Sequence, residues 1–209
     1  MPRSTDGFPM VNSRDPRRWF LGTPVRGLVA VPILVLAVPA CSRSPIQSAE
    51  SLARSLGGRV FFDKGRLYRI ELQRGRVRDG DLAQFAAWLP ELEEIDLTGT
   101  KVTDAGIEAI AGLTKLRKLQ LSATKITSAA IAHLTRLPAL TDVYLINTAI
   151  DDTAIEGLAR LTGLRKLSVS GTKLTADGLE RLRQALPMTT IIAEMVDPRG
   201  RPVVPNTKT

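Results

Sequence analysis

An α/β solenoid is the fold class this 209-residue sequence predicts, with parallel strands lining a concave sheet and short helices on the convex side. Three observations predict it. A period of 24 residues runs without a gap from residue 89 to residue 184. Within each period the apolar spacing changes from strand-like alternation to a helical spacing of three. The hydrophobic fraction, 44%, is that of an ordinary globular protein and is enough for a core.

The units are "LPELEEIDLTGTKVTDAGIEAIAG" (89–112), "LTKLRKLQLSATKITSAAIAHLTR" (113–136), "LPALTDVYLINTAIDDTAIEGLAR" (137–160) and "LTGLRKLSVSGTKLTADGLERLRQ" (161–184). A looser copy with one extra residue occupies 64–88, and a worn one begins at Ala185. Each follows L-x-x-L-x-L-x-x-T-x-I-x-x-x-x-I-x-x-L, the leucine-rich-repeat pattern with Thr in place of Asn or Cys.

Within a unit, Leu116, Leu119 and Leu121 sit at strand spacing, and Ile131 and Leu134 lie three apart in a short helix. One unit cannot bury its own apolar face, so units must stack. Thr100, Thr124, Thr148 and Thr172 fall where the chain turns out of each strand. Buried hydroxyls there are expected to bond backbone groups of their own and adjacent turns. Thr103, Thr127, Thr175, Asp79 and Asp151 precede the helical segments and are expected to cap them.

The ends need covers. "IQSAESLARSL" (46–56) predicts an amphipathic helix stopped by Gly57 and Gly58. "RVFF" and "LYRIEL" flank a hairpin turn at "DKGR", completing a helix–hairpin cap over the first strand edge. "IIAEMV" reads as the last strand, and "DPRGRPVVPNTKT" as an unstructured tail. The expected organisation is a signal peptide (1–40), a lipidated N-terminus and cap (41–63), the repeat domain (64–196) and a tail (197–209).

The first 41 residues have the layout of an export signal. Arg17 and Arg18 precede an apolar run, Leu28 to Val38, which ends in "VPAC". Eleven apolar residues are too few to span a bilayer. "VPAC" resembles a bacterial lipobox, although Pro39 departs from the small or β-branched residue usual there. Cys41 is the only cysteine, which excludes a disulfide framework, and its place at the end of the run makes it the expected lipidation site. Lipidation there would give a multi-chain anchor. "RRWFL" resembles a twin-arginine motif and fits the general export route equally well.

Residues 46–196 resemble bacterial exported leucine-rich-repeat proteins of the planctomycete type, with the unit T-x-I-T-D-x-G-L-x-x-L. They also resemble the repeats of eukaryotic F-box substrate receptors. "TKVTDAGIEAI" is the best match, whereas "TKITSAAIAHL" and "TAIDDTAIEGL" lose the Asp-x-Gly element. No F-box precedes the repeats. The resemblance implies a recognition module and leaves its ligand open.

Chemistry is poorly represented. His133 is the single histidine, with no thiol or second histidine to pair with, and "SLGGRV" lacks the spacing and Lys of a phosphate loop. No catalytic, cofactor-binding or metal-binding residues are assigned, and the chain is expected not to be an enzyme. The net charge is +8, of which residues 1–40 supply +3 through five Arg and two Asp. The rest is mildly basic, without the interleaved aromatics of a nucleic-acid surface.

The outward strand positions form columns. Arg69, Glu94, Lys118, Asp142 and Lys166 alternate in sign and are expected to satisfy one another. Beside them run Glu71, Asp96, Gln120, Tyr144 and Ser168, then Gln73, Thr98, Ser122, Ile146 and Ser170. Tyr144, Ile146, Asn147, Asp96 and Gln120 are the candidate protein-binding residues, with Tyr144 and Ile146 as anchors. Arg76, Lys101, Lys125 and Lys173 form a basic edge suited to an anionic polymer or lipid headgroups. The expected function is a monomeric, membrane-tethered, extracytoplasmic protein-binding module on the periplasmic or cell-surface side. The alternative is a structural envelope protein that uses the basic edge.

Overall fold

The computed structural model of the chain describes residues 44–74, 76–196 and 202–203. By internal contacts the chain divides into Met1–Ala40 and Cys41–Thr209, and every element below belongs to the second unit. The expected export segment and Cys41 lie outside the described residues.

The predicted cap opens the structure. Helix α1 (Pro45–Ser55) begins with a reciprocal cap. The Gln47 amide N–H donates to Ser44 Oγ and the Ser44 N–H to Gln47 Oε1, both at 3.2 Å. Gly57 ends the helix in the left-handed region, φ 79°. A Cβ at Gly58 would lie 2.5 Å from the Glu71 carbonyl oxygen, so the close approach of this segment to the sheet requires glycine. Strands β1 (Arg59–Asp63) and β2 (Arg66–Glu71) form the antiparallel hairpin.

From β2 the sheet continues in parallel through β3 (Glu94–Asp96), β4 (Lys118–Gln120), β5 (Asp142–Tyr144), β6 (Lys166–Ser168) and β7 (Thr190–Ile192). The crossovers carry α2 (Asp79–Trp88), α3 (Asp104–Ile110), α4 (Ala130–Leu134), α5 (Ile155–Ala159, after a 3₁₀ turn at Asp152–Ala154) and α6 (Ala176–Ala185). The register pairs each residue with its counterpart one repeat on, so core side chains form ladders. Ile70, Ile95, Leu119, Val143 and Leu167 line the sheet, and Leu82, Ile107, Ile131, Ile155 and Leu179 answer from the helices, all buried. Each contributes about 1.5 to 3 kcal/mol by leaving water.

The turn threonines are fixed as expected in place but differently in partner. Thr100, Thr124, Thr148 and Thr172 donate their hydroxyls to Leu97, Leu121, Leu145 and Val169 carbonyls at 2.6 to 2.7 Å, within their own turns and not across to the next. The residue before each threonine is left-handed: Gly99, Ala123, Asn147 and Gly171, with Arg74 in the cap-side repeat. The strand thus leaves the sheet by the same turn five times.

At the far end "IIAEMV" divides between two strands. Thr190–Ile192 joins the main sheet, while β8 (Met195–Val196) pairs antiparallel with β9 (Pro202–Val203). Of the expected tail, 197–209, only Pro202 and Val203 are among the described residues, and their backbone pairs with β8.

Candidate functional site

The outward face of the sheet carries the predicted columns in the predicted register: Lys118 pairs with Asp142 and Asp142 with Lys166, Gln120 with Tyr144 and Tyr144 with Ser168. Their electrostatics differ from expectation. Among the described residues the charge column contains one ion pair, Arg69 Nε to Glu94 Oε2 at 3.6 Å. Lys118 and Lys166 turn instead to the aromatic between them, with Nζ atoms 5.7 and 5.3 Å from the Tyr144 ring centroid. Asp142, between the two lysines in the register, accepts from the Thr141 hydroxyl at 2.7 Å. The ring's negative face draws the two ammonium groups inward, which a column-by-column reading of charge signs does not anticipate.

Tyr144 is half-buried under this bracket, and Ile146 and Gln120 are half-buried beside it. Asp96 needs correcting as a binding candidate. It is 2% exposed and accepts from the Thr98 N–H at 2.9 Å and from the Gln73 side-chain amide. Its carboxylate holds the sheet face together and is closed to a ligand. Asn147 is exposed but occupies the left-handed turn position, φ 54°, with its side-chain oxygen in the space that a Cβ on Gly171 would need. It belongs to the turn column and not to the strand face. Glu71 is likewise enclosed, between Arg59 at 2.8 Å and Arg69.

The basic edge lies along the strand exits. Arg76, Lys101, Lys125 and Lys173 are all exposed and none forms an ion pair among the described residues.

On the convex side a line of contacts joins successive repeats, and sequence reading missed it. Thr103 donates its N–H (2.9 Å) and hydroxyl (2.7 Å) to the Asp79 carboxylate one repeat earlier. Thr127 does the same to Asp104, and Thr175 to Asp152. Between Ser128 and Asp151 the roles are exchanged. The Ser128 hydroxyl donates to Asp151 Oδ1 at 2.7 Å and accepts from the Asp151 N–H at 3.0 Å. Hydrogen bonds from Thr153 and Ser128 hold the Asp151 carboxyl below its ordinary range, and those from Thr175 do so for Asp152. The expected caps are rearranged accordingly. Thr175 and Asp151 do cap, accepting from the Gly178 and Thr153 N–H groups. Asp79 is instead the first helical residue of α2, and the Thr103 side chain makes no cap bond.

At two of the junctions a glycine packs closely against the clasp. A Cβ at Gly106 would stand 2.5 Å from Asp79 Oδ1, and one at Gly178 would collide with Asp152 Oδ1. Where Ser128 replaces the carboxylate, Ala154 occupies the glycine position. The clasp between Thr127 and Asp104 forms with Ala130 in that place. The signal in the sequence was the recurrence of Thr and Asp about one period apart, visible only if adjacent positions are read as pairs across repeats.

Among the described residues no group of three or more His, Cys, Asp or Glu side chains could hold a metal ion. No described helix is long and apolar enough to cross a membrane.

Comparison with known proteins bears on the fold. A family model described as a leucine-rich repeat matches residues 90–111. The comparison with curated proteins gives no match. Among solved structures the chain is similar to actin-binding site 2 of leiomodin-1. The TM-score is 0.51 and the identity 17%, over 69% of this chain and 86% of that one. An internalin from Listeria monocytogenes gives a TM-score of 0.42 at 19% identity, over 63% of this chain and 48% of that one. The repeat match, the sheet register and the leiomodin likeness together make this a leucine-rich-repeat solenoid.

Proposed function

We propose that the protein is a membrane-tethered, extracytoplasmic recognition module that holds a protein partner on its concave face around Tyr144. The observation that carries this reading is the Tyr144 ring, half-buried between Lys118 and Lys166 with Ile146 and Gln120 adjoining. A semi-desolvated aromatic with a polar rim is the usual composition of an interface anchor. The leucine-rich-repeat fold supports an interaction role in place of catalysis. The export layout and Cys41 support the location.

The test is crosslinking of the anchored protein in its native cells, followed by affinity measurement on the captured partner. Tyr144→Ala, folded by circular dichroism, is expected to weaken binding by about 1 to 3 kcal/mol, while Lys125→Glu has little effect. The exposed basic edge, whose side chains form no ion pair among the described residues, supports a second reading, binding to an anionic envelope polymer. Loss of binding on Lys125→Glu with Tyr144→Ala silent would select that reading.

A further inference from the structure

The outward sheet face uses its charges differently toward the cap and at its middle strands. Toward the cap the arginines are already committed. Arg66 pairs with Glu93 at 2.5 Å, Arg69 lies 3.6 Å from Glu94, and Glu71 is held between Arg59 and Arg69. The middle strands reverse this balance. Residues 117–122, 141–146 and 165–170, which contain β4, β5 and β6, hold Arg117, Lys118, Arg165 and Lys166 against the one carboxylate of Asp142. Among the described residues none of these four cations forms an ion pair. Arg117 and Arg165 are exposed, and Lys118 and Lys166 are half-buried.

The backbone gathers the four around one point. The Thr141 and Asp142 N–H groups donate to the Arg117 carbonyl, and those of Arg165 and Lys166 to the Thr141 carbonyl. The two Arg-Lys pairs therefore stand two strand spacings apart, about 10 Å, with Thr141 and Asp142 between them. Tyr144 lies on the same middle strand, with both lysine ammonium groups near its ring. The ring orders the lysines without cancelling their charge. The Asp142 carboxylate meanwhile accepts from the Thr141 hydroxyl. Like charges on neighbouring strands repel, and an arriving carboxylate relieves that repulsion. Tyr144 and Ile146 add apolar surface to the same patch, which a bare phosphate polymer has no group to cover. An acidic peptide can supply both kinds of contact.

We infer that the segment the partner lays on this face is acidic: an extended stretch of protein crossing β4 to β6. Its carboxylates meet Lys118 and Lys166, flanked by Arg117 and Arg165, and an apolar side chain lies against Tyr144 and Ile146. The cap end offers such a segment no uncommitted arginine, so charge complementarity also sets where along the sheet it binds. The inference rests on the concave-face reading proposed above and names the chemistry of its partner.

An array of random twelve-residue synthetic peptides, probed with the full chain in uncharged detergent, tests it. The retained peptides are expected to be enriched in Asp and Glu together with an aromatic or large aliphatic residue. Affinity for the best of them should fall about tenfold or more in a Lys118→Gln, Lys166→Gln variant that is folded by circular dichroism. It should fall likewise at about 0.5 M salt, and change little with Lys125→Gln on the basic edge. Retention of peptides without acidic enrichment, lost with Tyr144→Ala, would overturn the acidic segment while leaving the concave anchor standing. Acidic peptides released by Lys125→Gln, but not by the double variant or Tyr144→Ala, would overturn both. An array that retains nothing would overturn the inference, and the crosslinked partner would then decide the anchor by itself. Equally tight binding of long-chain polyphosphate, indifferent to Tyr144→Ala, would assign the patch to an anionic polymer, also against the inference.

Discussion

The interior ladders and the convex clasps stack the same repeats by opposite rules. Along the sheet every rung from Ile70 to Leu167 is a buried aliphatic, and no exchange of character is tolerated because each rung packs directly on the next. Along the clasp line the chemistry can change hands. Asp152 accepts from Thr175, yet at the preceding junction Ser128 donates to Asp151. What is kept there is a bonded pair, not a residue type. A hydrogen bond can be reversed by exchanging donor and acceptor, whereas apolar packing has no such symmetry.

The contrast is sharpest where a rung is removed. Leu119 is fully buried in the central strand, and Leu119→Ala is expected to cost about 2 to 5 kcal/mol through lost burial and the cavity left behind, read from urea unfolding. A value under 1 kcal/mol would mean that the ladder collapses to fill the space and that the rungs are less rigid than the register implies. The turn between the two regions should respond less. Thr124→Val keeps the shape but strands the Leu121 carbonyl that the hydroxyl now reaches at 2.6 Å, at about 1 to 3 kcal/mol. An unchanged midpoint and slope would show that water can replace the hydroxyl.

The clasp gives the decisive comparison. Ser128→Asp alone sets a second carboxylate against Asp151, and the urea midpoint should fall by less than with Thr124→Val. Adding Asp151→Thr restores the donor–acceptor polarity of the other junctions and should recover most of the loss. If the double variant is no better than the single one, pair exchange is not what this line conserves.

Acid supplies the smallest effect. The Asp151 and Asp152 carboxyls are held below the ordinary aspartate range in the folded chain, so below about pH 4 the unfolded state takes up more protons than the folded one. Their contribution is present above that point and is lost as pH falls through the lowered folded values. Urea midpoints measured from pH 6 down to pH 3 should decline, and less steeply in Asp152→Asn. An identical slope in the variant would show that the decline comes from other carboxylates.

The sequence by itself determined the stack. A 24-residue period carries the strand spacing, the turn threonine and the helix spacing in every unit, so the parallel sheet, the outward columns and the helix–hairpin cap were all legible. These depend on local periodicity and on burial, which one chain's apolar pattern encodes. Tertiary structure alone decided how the polar side chains are used. Asp96 became a buried acceptor because Gln73 and the Thr98 N–H converge on it. Lys118 and Lys166 left their charge column for the Tyr144 ring, and Asp79 reached forward a full repeat to Thr103. Long polar side chains reach several ångströms in more than one direction, so position in a column does not fix their partner. Only the distances between repeats do.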